Sequence, residues 1–172
     1  MTPREQEEYR ALRATIAARG TSRVWIVVAG LAAWASVLTA ISALALPPVV
    51  SLVPLLLLAG TFEAVHALHV GVERLGRYLQ VFHEDRWERT AMEFGPPLAG
   101  TGSDPLFTVV FAFATVLNLL PVAAIGPVQI ELVVIGIGHA LFVARLIFAR
   151  RVAARQRAAD LERFRALHRD VQ

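Results

Sequence analysis

The chain has 172 residues, of which 56% are hydrophobic and only 18% are charged. This composition is too apolar for an ordinary soluble domain, so the sequence predicts a membrane protein. The chain has no cysteine, which excludes disulfides, thiolate metal sites and cysteine nucleophiles.

Four apolar segments are long enough for an α-helix to cross the roughly 30 Å hydrocarbon core of a bilayer. They cover residues 24–46, 49–72, 105–120 and 128–148. Two proline-rich turns without arginine, LPPVVS at 46–51 and LPVAAIGPVQ at 120–129, join the first span to the second and the third to the fourth. The sequence therefore predicts an all-α polytopic membrane protein in which four transmembrane helices form two tight hairpins across residues 23–149.

The arginines lie on one side of the predicted spans. They precede the first span, occupy loop 73–104, and lie from Arg145 onward at and beyond the end of the fourth span, whereas neither hairpin turn carries any. By the positive-inside rule, both termini and this loop are predicted to be cytoplasmic, with the protein in a bacterial inner membrane. Topology therefore explains the basicity of the chain, and the expected partner is a lipid bilayer rather than a nucleic acid.

The segments outside the spans also have helical patterns. Residues 1–22 form a predicted cytoplasmic amphipathic helix, which a stop at Arg19-Gly20-Thr21-Ser22 separates from the first span. Residues 92–105 form a predicted loop rich in glycine and proline. Residues 150–172 continue the fourth span as a helical tail. Its acids, among them Asp160, are expected on a solvated or headgroup face, or on a seam against a partner helix.

The second span carries a polar stripe. Because a helix advances about 100° per residue, its ionisable and amide side chains fall within about 120° of one another. These residues are Glu63, His66, His69, Glu73, Arg77, Gln80 and Glu84. Glu63 lies about 20 Å from the outer end of its helix, so we expect it inside the membrane. The stripe is expected to face the bundle interior, water or another subunit, and the Glu63 carboxylate to need a proton, a basic partner or a metal.

Other polar residues extend the stripe into a discontinuous column through the membrane. From outside to inside, the predicted order is Glu131 and Asn118, then Glu63 and His139, then His66 and His69, and finally Glu73 and Arg77. Ionisable residues inside a membrane are functional by default, so this column is the candidate ion or proton pathway, with Glu73 and Arg77 at its cytoplasmic mouth. The alternatives are a packing network or, for Glu73 and Arg77, a surface pair one turn apart.

A short internal match links the second and fourth spans. The tripeptide His-Ala-Leu occurs at residues 66–68 and again at 139–141. If the two halves are parallel repeats about an axis along the membrane normal, His66 and His139 lie at matched depths.

Four roles are compatible with this pattern. An oligomeric ion or proton passage protein would exchange protons at Glu63 and His66. A divalent transition metal would take ligands from Glu63, His66, His69 and His139, and b-type haem would lie between His66 and His139. A structural, assembly or regulatory subunit without transport would use the stripe for packing, either in a homo-oligomer or with another membrane protein. No hydrolytic motif indicates an enzyme.

Overall fold

The structure is a computed structural model that describes residues 2–83, 87, 90 and 106–171. The regular elements within these residues are helices, which confirms the all-α prediction. They are α1 (Pro3–Ala43), a 3₁₀-helix (Pro48–Ser51), α2 (Leu52–Phe82), α3 (Thr108–Leu117), α4 (Leu120–Ile125) and α5 (Gln129–Val171). The predicted loop at 92–105, the predicted start of the third span at Pro105, and Glu84 lie outside the described residues.

Four helical segments in the described part of the chain are long and apolar enough to cross a membrane. They are Pro3–Ala43, Pro48–Phe82, Thr108–Ile125 and Gln129–Asp170. The chain therefore has the helices of a multi-pass membrane protein, as predicted. The arrangement in two hairpins, the bacterial inner membrane and the cytoplasmic position of both termini stay predictions.

The chain divides into two compact units, which we call the apolar unit and the charged unit. The apolar unit consists of Val24–His66 and Asp104–Arg150, and the charged unit of Met1–Arg23, Ala67–Ser103 and Arg151–Gln172. Three long helices, α1, α2 and α5, contribute residues to both units. Apart from Arg145 and Arg150, every arginine belongs to the charged unit, so the division follows the hydropathy pattern of the sequence.

Helix α1 is longer than the sequence suggests. The predicted stop at Arg19-Gly20-Thr21-Ser22 is wrong, because α1 continues through these residues to Ala43. The hydroxyl of Thr21 donates to the carbonyl oxygen of Ala17, as hydroxyls inside helices do, and so it does not cap a new helix. One glycine costs a helix only about 1 kcal/mol relative to alanine, which the flanking turns outweigh.

Helix α1 ends in a Schellman motif whose left-handed residue is an alanine. Ala45 has a φ of 49°, and the N–H groups of Ala45 and Leu46 donate to the carbonyl oxygens of Ser42 and Ile41. These bonds satisfy carbonyl groups that the last turn would otherwise leave unpaired. Pro47 follows and cannot continue the helix, so the chain turns here.

The third span extends beyond its predicted end at Leu120. Helix α3 ends at Leu117, and α4 then runs from Leu120 to Ile125. Pro121 lacks the N–H that would bond back to the preceding helix, so a break occurs here, yet proline suits the first turn of the new helix. The first six residues of the predicted proline-rich turn, Leu120–Ile125, are therefore helical. The turn itself is the short connection that begins at Gly126, whose φ is 75°.

The core of the apolar unit is a cluster of aliphatic and aromatic side chains around Phe62. This residue is fully buried, and its ring lies edge-on to Phe111 at 5.3 Å and to Phe142 at 6.2 Å between ring centroids. Edge-to-face pairs of this kind are attractive beyond the area they bury. Because lipid tails are as apolar as these side chains, close packing rather than exclusion from water stabilises this core in a bilayer.

Gly30 allows α1 to pack closely against Thr61 of α2. A Cβ atom on Gly30 would come within 2.2 Å of Thr61 Oγ1. We therefore expect Gly30→Ala to lower the free energy of unfolding by about 1–3 kcal/mol, because the two helices must separate. The matched control is Gly136→Ala, where a Cβ would meet nothing within 4 Å. Equal stability of the two variants during unfolding in mixed detergent micelles would contradict this close contact.

The charged unit contains a cluster of aromatic side chains from α2 and α5. Tyr78 and Phe82 stack with ring centroids 4.6 Å apart, and Phe164 lies edge-on to these two rings at 5.8 and 6.2 Å. Tyr9 of α1 contacts His83 with the ring centroids 5.8 Å apart. Helix α5 reaches these positions because it continues unbroken from its apolar segment, as predicted for the tail.

Candidate functional site

Glu63 forms an ion pair with Arg145 inside the apolar unit. Arg145 Nε lies 2.7 Å from Glu63 Oε1, and Arg145 Nη2 donates to Glu63 Oε2 at 2.9 Å. Two parallel bonds of this kind give the strongest and most directional pairing between a guanidinium and a carboxylate. The sequence predicts that the Glu63 carboxylate needs a proton, a basic partner or a metal, and in the structure a basic partner, Arg145, neutralises it.

The Glu63–Arg145 pair lies at the surface of the apolar unit. The Glu63 side chain is 50% exposed and the Arg145 side chain is 35% exposed. Of the three surroundings expected for the stripe, an enclosed bundle interior is therefore excluded for Glu63, and water or another subunit are the two left. The two charges neutralise each other where α2 contacts α5, but their side chains remain accessible at the surface.

His66 lies about one turn further along α2 than Glu63, and it is buried. Its ring stacks on Phe62, with ring centroids 6.1 Å apart and planes 2° apart. Its Nδ1 atom has no hydrogen-bond partner within the described residues. Both ring nitrogens of histidine can form hydrogen bonds, so His66 keeps an unused polar atom in an apolar setting.

Asn118 joins the helices of the apolar unit through a fully buried side-chain amide. Its Oδ1 accepts a hydrogen bond from Trp34 Nε1 at 3.0 Å. Its Nδ2 donates to the carbonyl oxygen of Ser51 at 2.9 Å and lies 3.2 Å from His139 Nε2. From the end of α3, this amide therefore connects α1, the 3₁₀-helix and α5, and such a satisfied polar network makes a core rigid.

His139 uses both ring nitrogens within this network. Its Nδ1 lies 2.8 Å from the carbonyl oxygen of Ile135, which can only accept a hydrogen bond. The proton is therefore assigned to Nδ1, and Nε2 accepts from the amide of Asn118. A metal ion or haem iron would need the lone pair of His139 Nε2, and in the structure this lone pair accepts the hydrogen bond from Asn118.

The structure does not bring His66 and His139 together. A Cβ on Gly138, the residue before His139, would lie 3.4 Å from Leu55. Leu55 precedes His66 by about 16 Å along the axis of α2. The predicted matched depth of the two histidines is therefore wrong, as is the placement of His139 level with Glu63. The two proposed ligands of b-type haem are not assembled in the apolar unit.

Glu131 has a local role at the start of α5. Its Oε2 accepts a hydrogen bond from the backbone N–H of Val128 at 3.2 Å. Val128 immediately precedes the helix and Glu131 is its third residue, so this contact is one half of a capping box. The carboxylate also lies near the positive end of the helix dipole. Helix capping thus accounts for Glu131.

Arg77 is the centre of an ion-pair network in the charged unit. Its side chain is fully buried, with Nη2 donating to Asp160 at 2.9 Å and Nη1 donating to Glu73 at 3.3 Å. Arg74 Nε donates to the same Asp160 oxygen at 3.2 Å, and Arg157 pairs with Glu73. Arg77 is therefore not one member of an exposed surface pair. Of the two positions expected for Asp160, the structure shows a seam against another helix, here α2, and not a solvated face, because this residue is 7% exposed and bonded to Arg77.

His69 connects α1 to this network. Arg23 Nη1 lies 3.2 Å from His69 Nδ1, and Glu73 Oε1 lies 3.6 Å from His69 Nε2. Because arginine can only donate, Nδ1 accepts here and Nε2 carries a proton on the side of Glu73. His69, Glu73 and Arg77 thus form one chain of polar contacts along α2, which extends to α1 at Arg23.

Two groups of the charged unit, both outside the predicted spans, have shifted pKa values. Burial raises the pKa of Asp160, but the hydrogen bonds from Arg77 and Arg74 outweigh burial and hold its pKa below the usual value. Burial and the hydrogen bond that Tyr78 donates to Glu8 at 2.7 Å raise the pKa of Tyr78 to about 12. The Asp160 contribution to stability is therefore present at neutral pH and is lost as the pH falls through this lowered pKa.

A cavity of about 480 Å³ opens in the apolar unit between α1 and the α3–α4 segment. It is lined by Trp34, Leu38, Thr39, Ser42, Leu117, Leu120, Pro121, Ala124 and Ile125. The hydroxyl groups of Thr39 and Ser42 donate to carbonyl oxygens of their own helix. The cavity is therefore apolar in character, and the residues of the predicted pathway do not line it.

The sequence pattern indicates the polar residues themselves better than it indicates their partners. Arg145 could have been found, because it lies within the predicted span at 128–148, where an unpaired arginine is costly. Trp34 gave no such signal, since it is 84 residues away from Asn118 and indole is common in apolar segments. The burial of Asp160 could not be predicted, because the arginines on both sides of it in the sequence are typical of a solvated helix face.

The predicted site residues are held by several local sets of contacts. These are Glu63 with Arg145, Asn118 with Trp34 and His139, Glu131 with the N–H of Val128, and His69 with Glu73 and Arg77. Within the described residues, no group of three or more His, Asp or Glu side chains is arranged to hold a metal ion. Comparison with protein-family models, with curated proteins and with solved structures found no match to this chain.

Proposed function

We propose that the protein is a structural or assembly subunit without transport, which associates laterally with another helix in the membrane. The observation that carries this proposal is the Glu63–Arg145 pair, which is half-exposed on the apolar unit. On insertion-based scales, an arginine or aspartate at the centre of a membrane helix costs about 2.5–3.5 kcal/mol. Polar groups at this depth therefore commonly mediate contacts between helices instead of facing lipid.

The ion pair lies on a surface that we call the lateral face. This face consists of Leu56, Gly60 and Glu63 of α2 and Val134, Leu141, Arg145 and Phe148 of α5. Helical spacing puts the members from each helix on one side of that helix, and the ion pair joins the two sides. Apart from the two charges the surface is apolar, so a partner helix can pack against it while its polar groups replace lipid around the pair.

Glu63 and His139, two residues of the predicted pathway, already use their polar atoms within the chain. Both carboxylate oxygens of Glu63 are held by Arg145, and both ring nitrogens of His139 are hydrogen-bonded. A pathway requires groups that exchange their partners as an ion or proton passes. Fixed, reciprocal contacts instead suit a protein that holds helices in one arrangement, which supports assembly over passage.

The second candidate function is proton passage in an oligomer. One observation favours it: His66 is buried near Glu63 and has an unpartnered Nδ1. Histidine is the side chain best suited to exchanging protons near neutral pH. This function requires Glu63 to exchange Arg145 for a proton in each cycle.

Proteoliposomes test the two candidates against each other. We expect vesicles containing the full-length protein to show the same potassium-driven proton flux as protein-free vesicles, and Glu63→Gln to leave that flux unchanged. An internal pH dye measures the flux, and an added protonophore shows that the vesicles are sealed. Flux above the protein-free level that falls in Glu63→Gln would contradict the proposal and support proton passage.

Photo-crosslinking in cell membranes tests the assembly role. A photoreactive residue at Leu141, on the lateral face, is expected to form protein adducts, and Glu63→Gln is expected to reduce their yield severalfold because the charge no longer matches the partner. The matched position is Val28, which is exposed on α1. Equal adduct yields at the two positions, or yields that do not depend on Glu63, would contradict a specific lateral contact.

A further inference from the structure

We infer that the lateral face is occupied by a second copy of this chain, related to the first by a two-fold axis along the membrane normal. The inference rests on the proposed assembly function and names its partner. It depends on the depth of the two charges, on their arrangement within the face, and on the space beside Gly60.

The depth of the charges favours a copy inserted with the same orientation. Glu63 and Arg145 lie at one level, because they bond to each other directly. Every copy of the chain carries its own pair at that level. Two copies with the same orientation therefore bring all four charges to the same depth, whereas a different protein would need charges at matching positions.

The lateral face is complementary to itself in charge. A two-fold rotation places Glu63 opposite Arg145 of the partner subunit, and the reciprocal contact follows from symmetry. Arg145 uses Nε and Nη2 for its own carboxylate, so Nη1 presents its donors elsewhere. Each Glu63 oxygen can also accept a second hydrogen bond. The four groups can therefore form a closed ring of alternating charge without breaking either intrachain pair.

Gly60 gives a second helix room to approach. It lies about one turn from Glu63 on the lateral face, and a Cβ at this position would meet nothing within 4 Å. A small residue at such a position lets the backbones of two membrane helices come close, which shortens the reach required of Arg145 of the partner subunit. Leu56 and Leu141 are 70% and 67% exposed and supply apolar contact around the charges.

Charge-reversal variants of the full-length protein test the inference by energy transfer in liposomes. Because the chain has no cysteine, Ala11→Cys on the exposed side of α1 gives one dye site per copy. Energy transfer between donor-labelled and acceptor-labelled copies then reports association over a series of protein-to-lipid ratios. The variants are Glu63→Arg, Arg145→Glu, their mixture, and the double variant.

Each single reversal is expected to weaken association at least about tenfold, because like charges then meet across the axis. A mixture of Glu63→Arg with Arg145→Glu is expected to associate again, since one copy carries two positive charges and the other carries two negative charges. The double variant keeps one charge of each sign and is expected to associate like the wild type. Recovery of association in the mixture requires contact between the two copies. If the pair acted only within one chain, mixing the two variants would not restore association.

Two further variants complete the test. Glu162→Arg makes the same charge change at an exposed position of the charged unit and is expected to leave association unchanged. Gly60→Leu fills the open space without touching the charges, and it is expected to weaken association severalfold even if the single reversals do not fold. A monomeric wild type, a mixture that does not associate, or full association of Gly60→Leu would each overturn the inference.

The result also separates this inference from the proposed function. A monomeric wild type with charge-dependent crosslinking at Leu141 would exclude a second copy and retain assembly with a different protein. Proton flux that depends on Glu63 would instead contradict the assembly function, whatever the number of copies.

Discussion

Arg77→Gln is expected to lower the free energy of unfolding by about 3 kcal/mol, because a fully buried guanidinium is removed from two carboxylates. Asp160 and Glu73 would then remain in the charged unit, each with one of its arginine partners gone. Reversible unfolding in mixed detergent micelles, followed by tryptophan fluorescence, measures the loss.

Arg74→Gln is the matched control for this prediction. Arg74 contacts the same oxygen of Asp160 from the same helix, but its side chain is 51% exposed. A pair this accessible to solvent contributes within about 1 kcal/mol. If the two variants lost the same stability, burial of Arg77 would not be what makes its ion pairs important.

Asn118→Leu is expected to lower the free energy of unfolding by about 2–4 kcal/mol, because it removes the hydrogen-bond partner of several buried polar groups at once. Trp34 Nε1, the carbonyl oxygen of Ser51 and His139 Nε2 would each lose a contact. The same unfolding measurement applies. With the exposed Trp25 and Trp87 replaced by phenylalanine, quenching of tryptophan fluorescence reports whether the indole of Trp34 has become accessible.

The matched control is Thr115→Val, one turn earlier in α3. Thr115 is also buried, but its hydroxyl donates only to the carbonyl oxygen of Phe111 in the same helix. Removing that bond leaves the contacts between helices intact, so a loss below about 1 kcal/mol is expected. A loss as large as that of Asn118→Leu would mean that the amide does not act as a connection between helices.

The coarse fold could be predicted from the sequence because hydropathy alone distinguishes a membrane helix from other structure. The positions of some helix ends were predicted wrongly, because local glycine and proline signals are outweighed by the stability of the helix around them. Gly20 is a stop signal in a short helix, but α1 continues through it because the helical turns on both sides outweigh one glycine. Pro121 similarly predicts a turn, although it lies in the first turn of α4.

The candidate site could be predicted only as a set of residues. Helical periodicity places Glu63, His66 and His69 on one side of α2, but it does not show what lies opposite them. That depends on the register between helices, and the register is set by packing around residues such as Gly138 and Leu55. An error of about two turns in this register was enough to place His139 beside Glu63.

The ion pairs between α2 and α5 in the charged unit have alternating polarity. At one level the acid is Glu73 on α2 and the base is Arg157 on α5, whereas one turn later the base is Arg77 on α2 and the acid is Asp160 on α5. Sliding α5 by one turn, about 5.4 Å, would oppose Glu73 to Asp160 in one direction and Arg77 to Arg157 in the other. Both displacements bring like charges together, so piston-like movement between these two segments is unfavourable, and bending or rotation is the motion left to them.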